Sequence, residues 1–231
     1  MKNMIIASTS TIYGSSYLAY ILPELKQFFN GINQIIFIPY ARPSGLTYDE
    51  YTAVAQKAFA EINIEVKGIH TFTNPIQALK EAKGIFVGGG NTFELVNELY
   101  QHKLIPIIKE VVENGTKYFG TSAGSNICGP TMKTTNDMPI VYPPSFDTLG
   151  LISFNINPHY LDPDPTSTHK GETRETRINE FHIYNETPVL GLREGSWLLV
   201  EGDKIVLKGK LSARLFEQYK EAVELESEKL I

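Results

Sequence analysis

Short apolar runs alternate with amphipathic segments along the first half of the chain. Runs of strand length at residues 4–8, 34–39 and 84–87 are separated by segments whose apolar residues recur at helical spacing. A further strand is predicted at 65–72 and helices at 15–29, 47–62 and 74–82, with Thr47 and Asp49 as candidate caps of the second helix and Asn74 as the cap of the third. A strand that is apolar along its whole length is typical of a parallel sheet covered on both faces. Strands that alternate with helices at this interval predict an α/β fold of three α/β/α layers, with a mostly parallel, doubly wound sheet.

Size and charge narrow the class of protein further. The chain has 231 residues and no Pro-, Gly- or Ser-rich linker, so we expect residues 1–231 to form a single domain. Its formal net charge is -5 and its basic residues are scattered, which argues against nucleic acid as a partner. No apolar run has the length that spans a bilayer, and the run near the N-terminus is shorter than that of a secretory signal. We therefore expect a cytoplasmic protein without membrane contact.

A serine lies at the centre of the motif GTSAG, at residues 120–124, which follows a short predicted strand and precedes small residues. A strand-to-helix turn with a serine at its apex is a nucleophile elbow, and the flanking glycines leave room for the neighbouring strand and helix. We predict that Ser122 is a nucleophile. The N–H of Ala123, at the start of the helix, is the first predicted oxyanion donor. The alternative is a chance glycine-containing turn.

A second glycine motif, at residues 88–90, follows the predicted strand at 84–87 and opens another helix. Its backbone N–H groups would face an anion or a carbonyl oxygen. We predict Gly90 as the second oxyanion donor and Asn91 as a residue that bonds substrate. Phe93 stands where the dinucleotide fingerprint needs its third glycine, so no dinucleotide cofactor is expected. The alternative is a tight structural turn with a helix cap.

His159 follows a predicted strand at residues 152–157, where it can reach the sheet edge that holds Ser122. It is the candidate general base and acid, and an acidic residue would orient its ring. Two carboxylates compete for that role. Asp137 lies in the polar loop between nucleophile and base, and Glu194 follows a later predicted strand. We favour Asp137 and keep Glu194 as the rival; a packing histidine is the alternative for His159 itself.

The remaining charged residues contain one substrate-binding candidate and no convincing metal site. Arg174 opens a charged helix, where its guanidinium can clamp a substrate carboxylate in a bidentate fashion. The chain contains neither an HExxH nor a CxxC motif. Asp162 and Asp164 lie in a proline-rich run that indicates a rigid exposed loop, so no metal is expected.

Five short motifs stand in a fixed order along the chain. They are IFVGGGNT at 85–92, GTSAG at 120–124, TTNDMP at 134–139, NPH at 157–159 and KGETRE at 170–175. In order and spacing they resemble peptidase E, the aspartyl dipeptidase family of serine peptidases. The resemblance extends over nearly the whole chain, and five ordered motifs are far more specific than any one of them.

This resemblance implies a fold similar to that of class I glutamine amidotransferases, with serine in place of their elbow cysteine. It implies hydrolysis of dipeptides with an N-terminal aspartate, here written Asp-X, through an acyl-enzyme and without a cofactor. A homodimer is one assembly that the prediction allows. Carried over residue by residue, the roles are a relay of Ser122, Asp137 and His159 with Glu194 as the rival acid, Gly90 and Ala123 as oxyanion donors, and Asn91 and Arg174 as the residues that hold the aspartyl side chain.

The sequence is also compatible with three other functions. A related serine hydrolase could act on another acyl substrate, as a cyanophycinase-like enzyme or an esterase does. An α/β-hydrolase also carries a G-x-S-x-G elbow, but its histidine usually comes late in the chain, whereas many residues follow His159 here. A non-catalytic flavodoxin-like module that binds an anionic metabolite through the glycine loop is the candidate from a different class.

Overall fold

The computed structural model describes residues 1–166, 168 and 170–230 of the protein. Its strands are β1 (Asn3–Ala7), β2 (Gln34–Ile38), β3 (Glu65–Gly68), β4 (Gly84–Val87), β5 (Lys117–Thr121), β6 (Asn155–Pro158), β7 (Val189–Leu192), β8 (Ser196–Glu201), β9 (Lys204–Gly209), β10 (Ala213–Phe216) and β11 (Val223–Leu225). Its α-helices are α1 (Leu22–Phe28), α2 (Tyr48–Ala60), α3 (Pro75–Glu81), α4 (Thr92–Gln101), α5 (Ile105–Glu113), α6 (Ala123–Asn126) and α7 (Arg174–His182).

The main sheet has seven strands in the order β3-β2-β4-β5-β1-β8-β9. The first five of these run parallel, and β8 and β9 add an antiparallel hairpin at one edge. Strand β1 is the first in the chain but lies beside β5 in the sheet. Because β4, β5 and β1 run parallel, they end side by side at the carboxyl edge of the sheet. In open parallel sheets this carboxyl edge is where ligands bind.

Helices cover both faces of the main sheet, which confirms the predicted three-layer α/β/α fold. On one face, Leu25 of α1 and Phe59 of α2 belong to one buried cluster with Phe86 of β4. On the other face, α3, α4 and α5 belong to a second cluster, which includes Leu95 and Ile108. Full burial of one such side chain contributes about 1.5–3 kcal/mol, so the two clusters fix the sheet between its helices.

Local signals place several helix ends where the sequence predicts them. Thr47 caps α2: its side chain accepts from the N–H of Glu50, whose carboxylate accepts in turn from the N–H of Thr47. Asn74 caps α3 and is followed by proline at the first helical position. Such caps satisfy the free N–H groups of the first turn and are worth about 1 kcal/mol each.

A second, four-stranded sheet follows the order β11-β10-β7-β6. Strands β6 and β7 are parallel, and Pro158 pairs with Leu192 at their ends. The next residues of both strands, His159 and Arg193 followed by Glu194, therefore leave the sheet at the same edge. This register brings two segments that are far apart in sequence to one place.

Three predicted elements differ from the structure in their bounds. The first helix, predicted from residue 15, begins only at Leu22, because Leu18 adopts a positive φ of 59° that a helix cannot contain. The third strand ends at Gly68 and continues as a 3-10 helix, Ile69–Thr71. The strand predicted at 152–157 is Asn155–Pro158. Among the helices of the described residues, none combines the length and the apolar character needed to cross a membrane.

Candidate active site

Ser122 occupies a strained backbone position between β5 and α6. Its φ of 53° and ψ of -111° lie outside the regions that side-chain-bearing residues usually adopt. Its N–H donates to the carbonyl of Ala7 on the neighbouring strand over 3.2 Å. The helix that follows begins at Ala123, so the serine stands at the apex of a strand-to-helix turn, which is the geometry of a nucleophile elbow.

The two glycines of the elbow are needed for space. A Cβ atom on Gly124 would lie 2.2 Å from the carbonyl oxygen of Val87, and one on Gly120 would lie 2.5 Å from the carbonyl oxygen of Gly124. Both clashes involve backbone atoms, which cannot rotate away. The turn therefore forms only where both positions lack a side chain.

We expect Gly124→Ala to lower the free energy of unfolding by about 3 kcal/mol, because its new methyl group overlaps a backbone carbonyl. Urea denaturation followed by circular dichroism measures this loss. Gly14→Ala is the control: a Cβ there meets nothing within 4 Å, although the φ of 76° is unfavourable for alanine. The control should lose about 1 kcal/mol. Equal losses in the two variants would contradict the steric explanation.

The imidazole of His159 lies between Ser122 and Glu194. Its Nε2 is 2.9 Å from Oγ of Ser122, and its Nδ1 is 2.6 Å from Oε1 of Glu194. The side chain of His159 is 36% exposed and that of Glu194 is 49% exposed, so the row of three groups is open to solvent along one side. A hydroxyl, an imidazole and a carboxylate in this order can activate the hydroxyl as a nucleophile.

Ser8 anchors the backbone of His159 and was missed by the sequence analysis. Its Oγ accepts from the N–H of His159 at 2.9 Å and donates to the carbonyl of Leu192 at 2.7 Å. His159 itself has a positive φ of 54°, so this hydrogen bond helps to hold an unfavourable backbone conformation. The available signal was the position of Ser8, directly after β1 at the carboxyl edge of the sheet.

Asp137 does not occupy the position that the sequence analysis favoured. Its Oδ2 accepts from the N–H of Thr92 at 2.7 Å, from the hydroxyl of Thr92 at 2.6 Å and from the hydroxyl of Thr135 at 3.0 Å. These contacts fix the carboxylate at the N-terminus of α4, where a negative charge is stabilised. Glu194, the rival carboxylate, contacts the imidazole instead, so the preference for Asp137 as the partner of His159 is corrected.

The glycine loop lies against the nucleophile. A Cβ on Gly89 would come within 2.9 Å of Cβ of Ser122, and one on Gly90, whose φ is 143°, would come within 2.0 Å of the carbonyl oxygen of Ala41. Among the described residues, the N–H groups of Gly90 and Ala123 donate no hydrogen bond. Both are therefore free to donate to an oxygen atom placed beside the serine.

Asn91 caps α4 instead of projecting freely into the cleft. Its Oδ1 accepts from the N–H of Glu94 at 3.1 Å, and its Nδ2 donates to the carbonyl of Met138 at 2.9 Å. An amide nitrogen carries two protons, so the contacts within the described residues use only one of them. The predicted role in substrate binding is thus restricted to the second N–H of that amide.

Arg174 stands at the first position of α7, after the cap Thr173. It lines a cavity of about 510 Å³ together with Asn136 and Arg177. Burial, and to a lesser degree the neighbouring Arg177, lower the pKa of Arg174, while the carboxylate of Asp137 raises it. The guanidinium of Arg174 forms no ion pair within the described residues, and Asp162, Asp164 and Glu172 also line the cavity.

Arg193 braces the segment that carries Glu194. Its Nε and Nη2 donate to the two carboxylate oxygens of Asp162 at 2.8 Å each. Asp162 lies three residues after His159 in the sequence. Nη1 of Arg193 also donates to the carbonyl of Ser212 at 3.0 Å and to Glu224. Its hydrogen bonds lower the pKa of Asp162, which keeps that carboxylate charged. Bidentate pairs of this kind are geometrically specific, so the brace ties the loop after His159 to the strand end that bears Glu194.

The described residues contain no cluster of three His, Cys, Asp or Glu side chains placed to bind a metal ion. Cys128 is buried. Burial raises the pKa of its thiol to about 12, so it is protonated at neutral pH. A protonated, inaccessible thiol is a poor nucleophile.

Comparison with protein families gives one decisive match. The model of peptidase family S51 matches residues 4–208, a stretch that contains Ser122, His159 and Glu194. This chain belongs to peptidase family S51. Its similarity to individual family members extends over almost the full length of both proteins.

Curated relatives of this S51 member include a bacterial and an insect protein. A protein of Streptomyces coelicolor named peptidase E is 50% identical over 216 residues, which cover 94% of this chain and 88% of the relative. A Drosophila melanogaster protein named "Probable alpha-aspartyl dipeptidase" is 46% identical over 219 residues, which cover 94% of this chain and 90% of the relative. The similarity therefore holds across distant organisms.

Solved structures show the same fold at much lower sequence identity. A peptidase from an acI-B1 actinobacterium superposes with a TM-score of 0.75 at 16% identity, covering 100% of this chain and 96% of that one. A crystal structure from Listeria monocytogenes gives a TM-score of 0.69 at 24% identity, covering 91% and 99% of the two chains. The S51 family member thus shares its whole architecture with other solved peptidases.

Proposed function

We propose that this protein is a serine dipeptidase that hydrolyses Asp-X dipeptides through an acyl-enzyme on Ser122. The observation that carries the proposal is the row of contacts from Ser122 through His159 to Glu194. These groups supply a nucleophile, a general base and an orienting acid within hydrogen-bond reach of one another. The substrate class is supported by relatives named peptidase E and alpha-aspartyl dipeptidase, at 50% and 46% identity.

The proposed reaction runs in two half-reactions on the same imidazole. Oγ of Ser122 attacks the aspartyl carbonyl carbon while Nε2 of His159 accepts the hydroxyl proton. The C–N bond then breaks as this proton passes to the amine of X, which leaves as a free amino acid. Water next gives a proton to His159 and attacks the ester carbonyl carbon. The ester C–O bond then breaks as His159 returns this proton to Oγ of Ser122, which releases aspartate. Glu194 accepts from Nδ1 throughout, so it holds the tautomer and stabilises the imidazolium.

Charge on the tetrahedral intermediates would be stabilised by the backbone. We assign the N–H groups of Gly90 and Ala123 as the two donors to the oxyanion. Neither donates a hydrogen bond within the described residues, and the glycine loop lies against Ser122. Donors fixed in advance cost no reorganisation during the reaction. One such donor is typically worth about 10² to 10³ in rate.

Specificity for aspartate is assigned to the cavity of Arg174. A partly buried guanidinium without a carboxylate partner can bind the β-carboxylate of the substrate in a bidentate fashion. A substrate without that carboxylate leaves the guanidinium unpaired in a desolvated cavity, which is costly. Asn91 directly follows the glycine loop, and its second amide N–H can add a hydrogen bond to the same substrate residue.

The proposed function is tested by the products formed from a matched substrate panel. Mass spectrometry should detect free aspartate and leucine from Asp-Leu, whereas Asn-Leu, β-aspartyl-leucine and p-nitrophenyl acetate should give little product. Asn-Leu is the sharpest comparison because it differs from Asp-Leu by one amide in place of a carboxylate. Faster turnover of the ester or of the β-aspartyl peptide than of Asp-Leu would assign the site to another acyl substrate.

We expect Arg174→Met to lower kcat/KM for Asp-Leu by about 10³-fold, because the substrate carboxylate would enter the cavity without a partner. The ratio of kcat/KM for Asp-Leu to that for Asn-Leu should fall towards one. Arg177→Met is the matched control: it removes the same charge from the same helix and cavity, where Arg177 already lies 3.9 Å from Glu172. A loss on Asn-Leu as large as that on Asp-Leu would identify Arg174 as a structural residue.

We also propose that residues 1–231 act as one domain. One hydrophobic cluster includes Met4 and Val87 of the main sheet and Leu190 of the second sheet. Since the two sheets share this buried interior, neither would be covered if the chain were divided between them.

A further inference from the structure

A second cavity, of about 590 Å³, adjoins Glu194 and is distinct from the cavity of Arg174. Its apolar lining comes from Ile12, Tyr13, Tyr20, Trp197 and Leu211. None of the residues that line it also lines the Arg174 cavity. The two cavities differ in their lining: two arginines and three carboxylates line the first, whereas the second is largely apolar, with Glu194 and Lys210 as its charged residues.

The proposed direction of the reaction relates this apolar cavity to residue X of the substrate. Nε2 of His159 gives its proton to the leaving amine, so residue X departs on the imidazole side of the serine. Glu194 binds the other nitrogen of the same ring and lines the cavity. Because Glu194 both contacts the ring and lines the cavity, the cavity lies next to the Nδ1 side of the imidazole, and a long side chain of X can extend towards it from its Cα atom.

The walls of the cavity are held in place by contacts independent of substrate. The hydroxyl of Tyr20 donates to the carbonyl of Thr9 at 2.6 Å, and its ring packs against that of Trp197 at a centroid distance of 6.2 Å. Burial, followed by the nearby carboxylate of Glu194, raises the pKa of Tyr20, so this phenol stays neutral. In contrast, the side chain of Tyr13 is fully exposed at the opening.

We propose that this cavity binds the side chain of residue X in Asp-X and selects large apolar residues there. The inference rests on the proposed function and extends it to the second half of the substrate. Apolar walls favour leucine or phenylalanine because their burial removes apolar surface from water, whereas glycine gains nothing. Lysine at X would bring its ammonium group to apolar walls and to the positive charge of Lys210, while the carboxylate of Glu194 in the same lining is already bonded to His159.

The inference predicts selectivity for residue X, which is separate from the selectivity for aspartate assigned to the cavity of Arg174. For the unmodified protein, kcat/KM for Asp-Leu and Asp-Phe should exceed that for Asp-Gly by about tenfold or more, and Asp-Lys should be poorest. The test variant is Leu211→Glu, which places a charge in the lining at a side chain that is 46% exposed. The control is Leu230→Glu, at a side chain that is 65% exposed and lines neither cavity.

We expect Leu211→Glu to reduce the Asp-Leu to Asp-Gly ratio by about tenfold, to raise activity on Asp-Lys relative to Asp-Leu, and to leave Asp-Gly within about threefold of the unmodified protein. Leu230→Glu should keep the original ratios. A second pair, Tyr13→Ala against the equally exposed Tyr219→Ala, should show a smaller loss confined to Tyr13→Ala. Because all four side chains are exposed, folding is retained and circular dichroism can verify it.

The outcomes separate the inference from the function on which it rests. Equal kcat/KM for Asp-Leu and Asp-Gly in the unmodified protein overturns the inference and leaves the proposed function standing. An Asp-Leu to Asp-Gly ratio that Leu211→Glu does not change has the same meaning. No cleavage of any Asp-X dipeptide by the folded protein overturns both.

Discussion

Ser122→Ala is expected to lower kcat for Asp-Leu by about 10⁶-fold, the largest effect of any single substitution in this protein. Alanine removes the oxygen that forms the acyl-enzyme, and the elbow offers no substitute, because the nearby thiol of Cys128 is buried and protonated. The oxyanion donors and the Arg174 cavity remain, so Asp-Leu should still bind. Product formation followed by mass spectrometry over several hours measures the residual rate.

Ser125→Ala is the matched control for this experiment. It removes a hydroxyl three residues away on the same short helix, where Oγ donates to the carbonyl of Ala7 at 2.6 Å. We expect it to cost about 1 kcal/mol of stability and to keep activity within about tenfold. Comparable turnover by Ser122→Ala and the unmodified protein would show that another group carries the reaction.

Glu194→Gln is expected to lower kcat by about 10⁴-fold, whereas Asp137→Asn is expected to lower it by no more than about tenfold. Both changes replace a carboxylate with an amide of similar shape. At Glu194 the amide cannot stabilise the imidazolium, and its NH₂ group can turn the ring to the wrong tautomer. At Asp137 the amide oxygen can still accept from the N–H of Thr92, so the loss should fall mainly on stability.

Steady-state kinetics on Asp-Leu and thermal melting of both variants measure these two effects. The expected pattern is a folded but nearly inactive Glu194→Gln, and an active Asp137→Asn with a lower Tm. The reverse pattern, with Asp137→Asn as the inactive variant, would return Asp137 to the role that the sequence analysis favoured. It would also show that the contact between Glu194 and His159 is not the one that matters in catalysis.

Most of the fold was predictable because its signals are local. Uninterrupted apolar runs identified the strands β2 and β4, and the caps Thr47 and Asn74 identified the starts of two helices. The elbow was predictable for the same reason, since five consecutive residues determine its geometry. The first helix was overestimated because apolar residues at helical spacing also occur in the turns around Leu18, whose φ is positive.

The carboxylate that contacts His159 was not predictable, because this contact depends on a long-range pairing of strands. Pro158 of β6 lies opposite Leu192 of β7, and that register alone brings Glu194 to the ring of His159. The two strands are separated by helix α7, and no local pattern specifies which strands become neighbours. Asp137 lay closer in sequence to both reacting residues, which made it the more attractive choice. Ser8 escaped notice for the same reason, since its partner His159 is 151 residues away.

The brace around Arg193 has a consequence for how family members can differ. Two of its partners, Ser212 and Glu224, come after residue 208, beyond the range that the family model matches. Ser122, His159 and Glu194 all lie inside that range. A family member that differs at Ser212 or Glu224 would therefore hold Arg193, and with it the segment of Glu194, less firmly without any change at Ser122, His159 or Glu194.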